Sequence, residues 1–207
     1  MTYVIHGARG SGSTIIEAAC AELGVDYEVR DLDLRAEGQR GAAYAALNPQ
    51  RKLPTLELDG EIITESVAIL LTLDERHRDA GLLPPPGSRD RARALRWMLF
   101  AATELYPIVE IIDYPERFAP AAGEREPTRE RAKEIWRHRW LVLEGNLAGS
   151  PFCVEGGFSL TDLYVAVLSR WDLDPAWRSE NLPKVEALVA AVRARPAVAR
   201  VWARHFG

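Results

Sequence analysis

Between Asn48 and Asp74 the chain reads NPQRKLPTLELDGEIITESVAILLTLD, and this order of signals constrains the fold more tightly than any other stretch. Asp59-Gly60 is a strong two-residue hairpin signal, because both residues tolerate the positive φ that a tight turn between twisted strands requires. Thr55–Leu58 and Glu61–Thr64 are therefore read as paired strands, with Leu56 and Leu58 on one face. Pro54 stands directly before the first of them. Proline lacks a backbone donor and is the usual carrier of a cis peptide, so the position shapes a loop; the plainer alternative is an edge-strand proline. After the second strand, Glu65-Ser66 opens a helix with Val67, Leu70, Leu71 and Asp74 at helical spacing. Ser66 sits where a helix start leaves backbone N–H groups unpaired, a ready site for a carboxylate.

Upstream, Thr2–His6 reads as a short strand and GARGSGS, Gly7 to Ser13, as a glycine-rich loop. A helix is predicted from about Thr14 to Leu23, with Ile15, Ile16, Ala19, Cys20 and Leu23 on its apolar face and Gly24 as its C-cap. Cys20 is thereby a small core residue rather than a reactive thiol. Tyr27 to Leu34 alternates as a second strand, and Ala42–Leu47 forms a short helix. The order β-α-β-α-β-β-α is that of a thioredoxin-like domain. A dinucleotide-binding unit begins similarly, but Gly10-Ser11-Gly12 is followed by Ile15 where a third glycine belongs, and the α/β portion is too short for a doubly wound sheet.

The run Leu83-Pro84-Pro85-Pro86-Gly87-Ser88 cannot be regular helix or central strand and marks a stiff linker. The expected division is residues 1–77, a linker at 78–88, and an all-helical domain over 89–207. In that domain Asp90 to Tyr106 places Leu95, Met98, Leu99, Ala102 and Tyr106 on one face, and Pro107 interrupts a helix continuing through Ile108–Ile112. Thr128 to Leu147 makes a long helix with Ile135, Leu141, Val142 and Leu147 apolar and Gly149 beyond its end. Ser159 with Asp162 is a variant capping box before the apolar run Leu163–Leu168. Asn181-Leu182-Pro183 begins an amphipathic helix carrying Val185, Leu188, Val189 and Val192, and Arg195-Pro196 restarts the chain into a last helix ending near His205.

Composition narrows the function. A net charge of -4 over 207 residues gives no reason to expect a nucleic-acid or anionic-membrane partner. No apolar run reaches membrane length, and Met1–His6 reads as a strand rather than a signal peptide. Cys20 and Cys153 form no C-x-x-C, and His6, His77, His138 and His205 show no metal-ligand spacing, so no metal is expected. A cytoplasmic location is the default expectation.

LNPQRKLPTLELDGEIITES, together with the Ser159–Asp162 box, resembles the signature of the glutathione transferase family across both halves of the chain. The resemblance implies a thioredoxin-like amino-terminal domain, an all-α carboxy-terminal domain, a homodimer, and glutathione as co-substrate. It implies that Leu53, before a cis Pro54 and next to Lys52, offers its backbone to the cysteinyl part of glutathione, as an added strand would. Glu65 would meet the tripeptide's amino group and Ser66 its γ-glutamyl carboxylate. The capping box would serve folding rather than catalysis.

In that family a Tyr, Ser or Cys of the first loop faces the glutathione sulfur. This loop has no cysteine, and Tyr3 lies in the preceding strand, so a serine-type arrangement remains, with Ser11 first and Ser13 second. The alternative is that Ser13 caps the helix and Ser11 merely keeps the loop soluble. A free thiol titrates near pH 8.5, and lowering that by about two units takes about 2.7 kcal/mol, much of which a helix N-terminus and a hydroxyl can supply. Trp97 and Tyr106 are candidates to line an apolar pocket for a small-molecule electrophile, with a core role as the alternative. The implied activity is attack of glutathione thiolate on a small hydrophobic electrophile. Isomerisation or reduction with the same thiolate, a non-catalytic interaction protein, and a carrier of hydrophobic ligands are the rivals.

Overall fold

A five-residue strand near the start of the chain is enough to found the first sheet, because all of its residues are enclosed. In the computed structural model, which describes residues 1–147, 151–171 and 174–207, β1 (Tyr3–Gly7) is buried along its whole length. It is followed by α1 (Ser13–Leu23), β2 (Tyr27–Asp31), α2 (Ala42–Leu47), β3 (Thr55–Leu58), β4 (Glu61–Thr64) and α3 (Ser66–Arg76). The strands lie in the order β2-β1-β3-β4, with β2 parallel to β1 and both other pairings antiparallel. This is the expected thioredoxin-like arrangement. Tyr3 faces Leu58 and Ile5 faces Leu56 across the ladder. These four, with Ile15, Ile16, Ala19 and Cys20 of α1 and Ile69, Leu70 and Leu73 of α3, form a core no more than 2% exposed.

The hairpin forms as its sequence dictates: Asp59 has φ 52° and Gly60 φ 90°, both positive as the tight turn demands. Two expectations shift. β2 ends at Asp31, and Leu34 beyond it is 38% exposed. In α3 the buried stripe is Ile69, Leu70 and Leu73, while Val67 and Leu71 are only half-buried. With five apolar residues among Val67–Leu71, periodicity alone leaves two neighbouring stripes equivalent, and packing against α1 chooses between them.

By its contacts the chain divides into two compact units, Met1–Leu83 with Val192–Gly207, and Pro84–Ala191. The second contains α4 (Arg89–Phe100), a π-helical segment (Ala101–Leu105), α5 (Tyr106–Asp113), α6 (Arg125–Asn146), α7 (Leu160–Ser169) and α8 (Pro175–Asn181). Ser88 caps α4 by accepting the Arg91 N–H at 3.1 Å. Pro107 removes a ladder donor, and the helix meets this by widening to π geometry just before it. Carbonyls of that segment find partners on α6: Trp136 Nε1 donates to Leu105 O at 3.1 Å, and Arg139 donates to Glu104 O. The buried face of α6 is accordingly Ala132, Trp136, Trp140 and Leu143, whereas Leu141, expected inside, is 44% exposed. Gly149 lies outside the described residues.

Every residue of α7 is buried, and its start is fixed as the sequence indicates. Asp162 Oδ2 accepts the Ser159 N–H at 2.7 Å and hydroxyl at 2.9 Å, and Oδ1 accepts the Cys153 N–H at 2.7 Å. Burial pushes the Asp162 carboxyl up, and these hydrogen bonds oppose it. Helix α9 (Pro183–Arg193) then leads to α10 (Pro196–Phe206), which packs along α1 within the first unit. Arg195 forks onto Glu22 at 2.9 and 2.6 Å, and Arg204 Nη2 reaches both oxygens of Asp31 at 2.8 and 2.6 Å.

Candidate active site

The loop between β1 and α1 turns back so sharply that a Cβ on Gly7 would lie 2.2 Å from Ser13 Oγ and 2.4 Å from its Cβ, so only glycine fits this backbone. Gly10, at φ 72°, adopts the left-handed conformation that glycine takes at no steric cost. The turn brings Ser11 and Ser13 together, their Oγ atoms 3.1 Å apart. Ser11 Oγ accepts the Ala8 N–H at 3.2 Å and the Ser13 N–H at 3.3 Å, and its residue is half-buried. Ser13 is wholly enclosed, with Ala8 N, Ala8 O and Glu17 Oε1 each 3.3 Å from its hydroxyl. Of the two serines, Ser11 is the one with accessible surface. Arg9 is exposed.

The second segment precedes β3. Leu53–Pro54 is a cis peptide, and the residues leading into it are clamped by a buried polar cluster that sequence reasoning did not single out. Tyr44 Oη donates to Lys52 O at 2.7 Å and lies 2.7 Å from Thr55 Oγ1. Asn48 Nδ2 donates to the same two acceptors at 2.8 and 3.3 Å, and Asn48 Oδ1 takes the Gln50 N–H at 3.0 Å. Tyr44, Asn48 and Thr55 are at most 5% exposed, and burial raises the Tyr44 phenol. Arg51, within the clamped turn, has φ 56°. The side chain of Lys52 is exposed, Leu53 half-buried and Pro54 buried.

The third segment follows β4. Glu65 holds φ 65°, ψ 114°, a conformation rare outside glycine that costs about 1–3 kcal/mol. Its carbonyl opens α3 by accepting the Ile69 N–H at 3.0 Å. Glu65 is exposed and Ser66, the first helical residue, is 5% exposed, with no side chain capping the helix. The positive end of the helix dipole is thus next to an exposed carboxylate and a near-buried hydroxyl.

The sheet gathers the three segments. His6 pairs with Thr55 and Thr55 with Thr64, so β1 ends, β3 begins and β4 ends along one edge. Strands about 4.8 Å apart place the ends of β1 and β4 about 10 Å from each other with the start of β3 between, close to the length of an extended tripeptide. The sequence-predicted Ser11, Ser13, Lys52, Leu53, Pro54, Glu65 and Ser66 all belong to the three segments that adjoin this edge. Trp97 and Tyr106 belong to the other unit. Trp97 is 2% exposed, stacked edge-on to Phe100 at 5.5 Å with the Arg96 guanidinium 3.9 Å over its ring. Tyr106 is half-buried, 4.9 Å from the Trp171 ring. An apolar groove in that unit is lined by Ile108, Ile111, Phe118, Ala132 and Ile135, and neither Trp97 nor Tyr106 lines it. Cys20 is enclosed and burial, then Glu17, pushes its thiol up to about 12, so it is no nucleophile. Among the described residues no group of three or more His, Cys, Asp and Glu side chains is placed to hold a metal, and no helix is long and apolar enough to cross a membrane.

Comparison with known proteins meets this geometry. Residues 6–82 match the model of the glutathione S-transferase N-terminal domain. The chain is 30% identical over 203 residues to an uncharacterized GST-like protein, YncG, of Escherichia coli K12, covering 97% of each. It is 32% identical to a maleylacetoacetate isomerase of Dictyostelium discoideum over 75% of this chain and 72% of that one. A glutathione transferase homologue from Sulfitobacter, crystallised with bound glutathione, superposes with a TM-score of 0.90 over 97% of this chain and 96% of its own, at 24% identity. The domain match and these relatives show that the chain belongs to the glutathione S-transferase family.

Proposed function

We propose that the protein binds glutathione along the edge formed by β1, β3 and β4 and uses its thiolate to attack a small hydrophobic electrophile. The observation that carries the reading is the register His6–Thr55–Thr64, which aligns a hydroxyl-bearing helix start, a cis-proline loop and a strained Glu-Ser helix start at tripeptide spacing. Ser66 and the first N–H groups of α3 receive the γ-glutamyl carboxylate, and Glu65 the amino group. The Leu53 main chain pairs with the cysteinyl residue, with Lys52 beside it. Ser11 donates to the sulfur, while Ser13 shapes the turn. Residues 89–207 shape the electrophile site, where Tyr106 is the better of the two aromatic candidates because Trp97 is enclosed. A cytoplasmic homodimer is the assembly we infer, and light scattering at micromolar concentration tests it.

Isothermal titration of the full chain with reduced glutathione tests the binding. One saturable site per chain is expected, and Glu65→Ala with Ser66→Ala should weaken it at least 100-fold by removing two charge-assisted contacts. Unchanged affinity in the folded double variant would refute the assignment. A second reading is favoured by the isomerase relative: the thiolate adds to a conjugated double bond, the carbon–carbon bond rotates, and elimination returns the thiol. Glutathione is then regenerated rather than consumed, which free-thiol titration during turnover distinguishes.

A further inference from the structure

We propose that His205, almost at the end of the chain, is a positioning residue for the thiolate-binding hydroxyl: it holds the loop in the conformation that leaves the Ser11 hydrogen directed outward. This rests on the reading of Ser11 as the partner of the sulfur.

The hydrogens around the loop can be assigned one by one. Ser11 Oγ already accepts two backbone N–H groups, which fill its acceptor capacity and leave only its own hydrogen to give. Ser13 Oγ has one hydrogen too, and a carboxylate, which can only accept, competes for it: Glu17 Oε1 at 3.3 Å. Ala8 O lies at the same 3.3 Å, and with its hydrogen turned to either of these acceptors Ser13 cannot donate to Ser11. Ser11 is therefore the donor of the pair, and a thiolate outside the loop can take that hydrogen while the Ala8 N–H stays shared between the two hydroxyls.

His205 holds this arrangement from the far side. Its Nδ1 accepts the Gly10 N–H at 3.0 Å, and Thr14 Oγ1 lies at the same distance from it. An accepting Nδ1 makes the imidazole neutral with its hydrogen on Nε2, a tautomer assigned here from the hydrogen bonds. Nε2 lies 3.1 Å from Glu17 Oε1, close but off the line of a hydrogen bond. Both side chains are enclosed, 0% and 1% exposed. Arg204 pairs with the other oxygen of Glu17, so the buried carboxylate has a cationic partner beside the imidazole. One ring thus touches the left-handed Gly10 on one edge and the carboxylate that orients Ser13 on the other.

Three variants of the full-length protein separate positioning from packing. His205→Asn keeps an acceptor where Nδ1 stands, His205→Gln moves it one bond further out, and His205→Leu removes it. The readouts are hydrogen exchange of the Gly10–Ser13 amides without ligand, the pKa of bound glutathione from its thiolate absorbance, and kcat against KM for glutathione. His205→Leu and His205→Gln should speed Gly10 exchange about tenfold or more and raise the bound thiol by about one pH unit, lowering kcat at neutral pH with KM nearly unchanged. His205→Asn should restore most of both. If His205→Leu does not fold, His205→Gln decides. Unchanged exchange and thiol pKa in a folded Leu or Gln variant would overturn the proposal, as would equal effects in Asn. If the wild type binds no glutathione, the reading of Ser11 fails, but amide exchange still decides whether His205 holds the loop.

Discussion

Tyr44 and Asn48 serve the same two acceptors, and that redundancy makes a quantitative prediction. Tyr44 Oη gives its hydrogen to Lys52 O, Thr55 gives its hydrogen to Tyr44 Oη, and the two hydrogens of Asn48 Nδ2 go to Lys52 O and Thr55 Oγ1. Tyr44→Phe leaves Asn48 in place, and Asn48→Ala leaves Tyr44, so neither change alone strips Thr55. Each should cost about 1–2 kcal/mol, a net hydrogen bond plus some lost packing. The double variant is different. The Thr55 residue is 0% exposed, and its hydroxyl would have lost both partners. An orphaned enclosed hydroxyl adds about 1–3 kcal/mol, so the pair should couple by about 1–2 kcal/mol. Urea unfolding of the four-member cycle measures this, and glutathione titration should show the double variant weakest, since Lys52 leads directly into Leu53–Pro54. Repeating the cycle in Thr55→Val should abolish the coupling. Single effects that add within about 0.5 kcal/mol in the Thr55 background would refute the reasoning.

Ser11→Ala should depress the transferase rate about tenfold at pH 7 through loss of a bond to a charged acceptor, with the deficit shrinking above pH 9 where thiolate forms unaided; a deficit independent of pH would exclude the role. Gly7→Ala should destabilise the fold by about 1–3 kcal/mol or more through the clash with Ser13, and Ser13→Gly, but not Ser13→Ala, should relieve it because the Ser13 Cβ is itself in the way. Native Cys20 should resist thiol reagents at pH 8. Its raised folded pKa of about 12 contributes stability that is present below the unfolded thiol's range and lost as pH climbs towards 12, so Cys20→Ala should flatten the alkaline arm of a stability–pH curve.

Features encoded within a few residues were legible in the sequence. Asp59-Gly60 implied its hairpin, Gly24 its left-handed cap, and Ser159 with Asp162 the start of α7, because each acts through backbone conformations its own side chains dictate. Asp174-Pro175, an N-cap followed by proline at the first helical position, carried the same kind of signal for α8 and was overlooked. What depends on distant partners was not legible. The stripe of α6 turned on Trp136 reaching a carbonyl 31 residues away. Nothing near Glu17 in the sequence signals its pairing with Arg204 and His205, which lie 187 and 188 residues further along the chain on α10. Nothing in the spacing of Tyr44 and Asn48 reveals that both reach Lys52 O.

The site nevertheless inherits its accuracy from a pattern that is local. Ser11, Pro54 and Ser66 come from three separate stretches, and only the register of β1, β3 and β4 sets their mutual distances. That register is fixed by burial: Leu56 and Leu58 are enclosed on the face shared with Ile5 and Tyr3, while Glu57 pairs with His6 on the other. A one-residue slip of β3 would turn both leucines out and drive Glu57 into the apolar core. Losing two fully buried leucines costs about 3–6 kcal/mol by area alone, before the charge is counted, so the slipped sheet is negligibly populated. The same slip would carry Pro54 about 3.4 Å along the strand, away from the loop bearing Ser11. Selection for an apolar core therefore also holds the proposed glutathione edge in alignment, and a substitution such as Leu56→Thr should weaken glutathione binding even though Leu56 is wholly enclosed in the core.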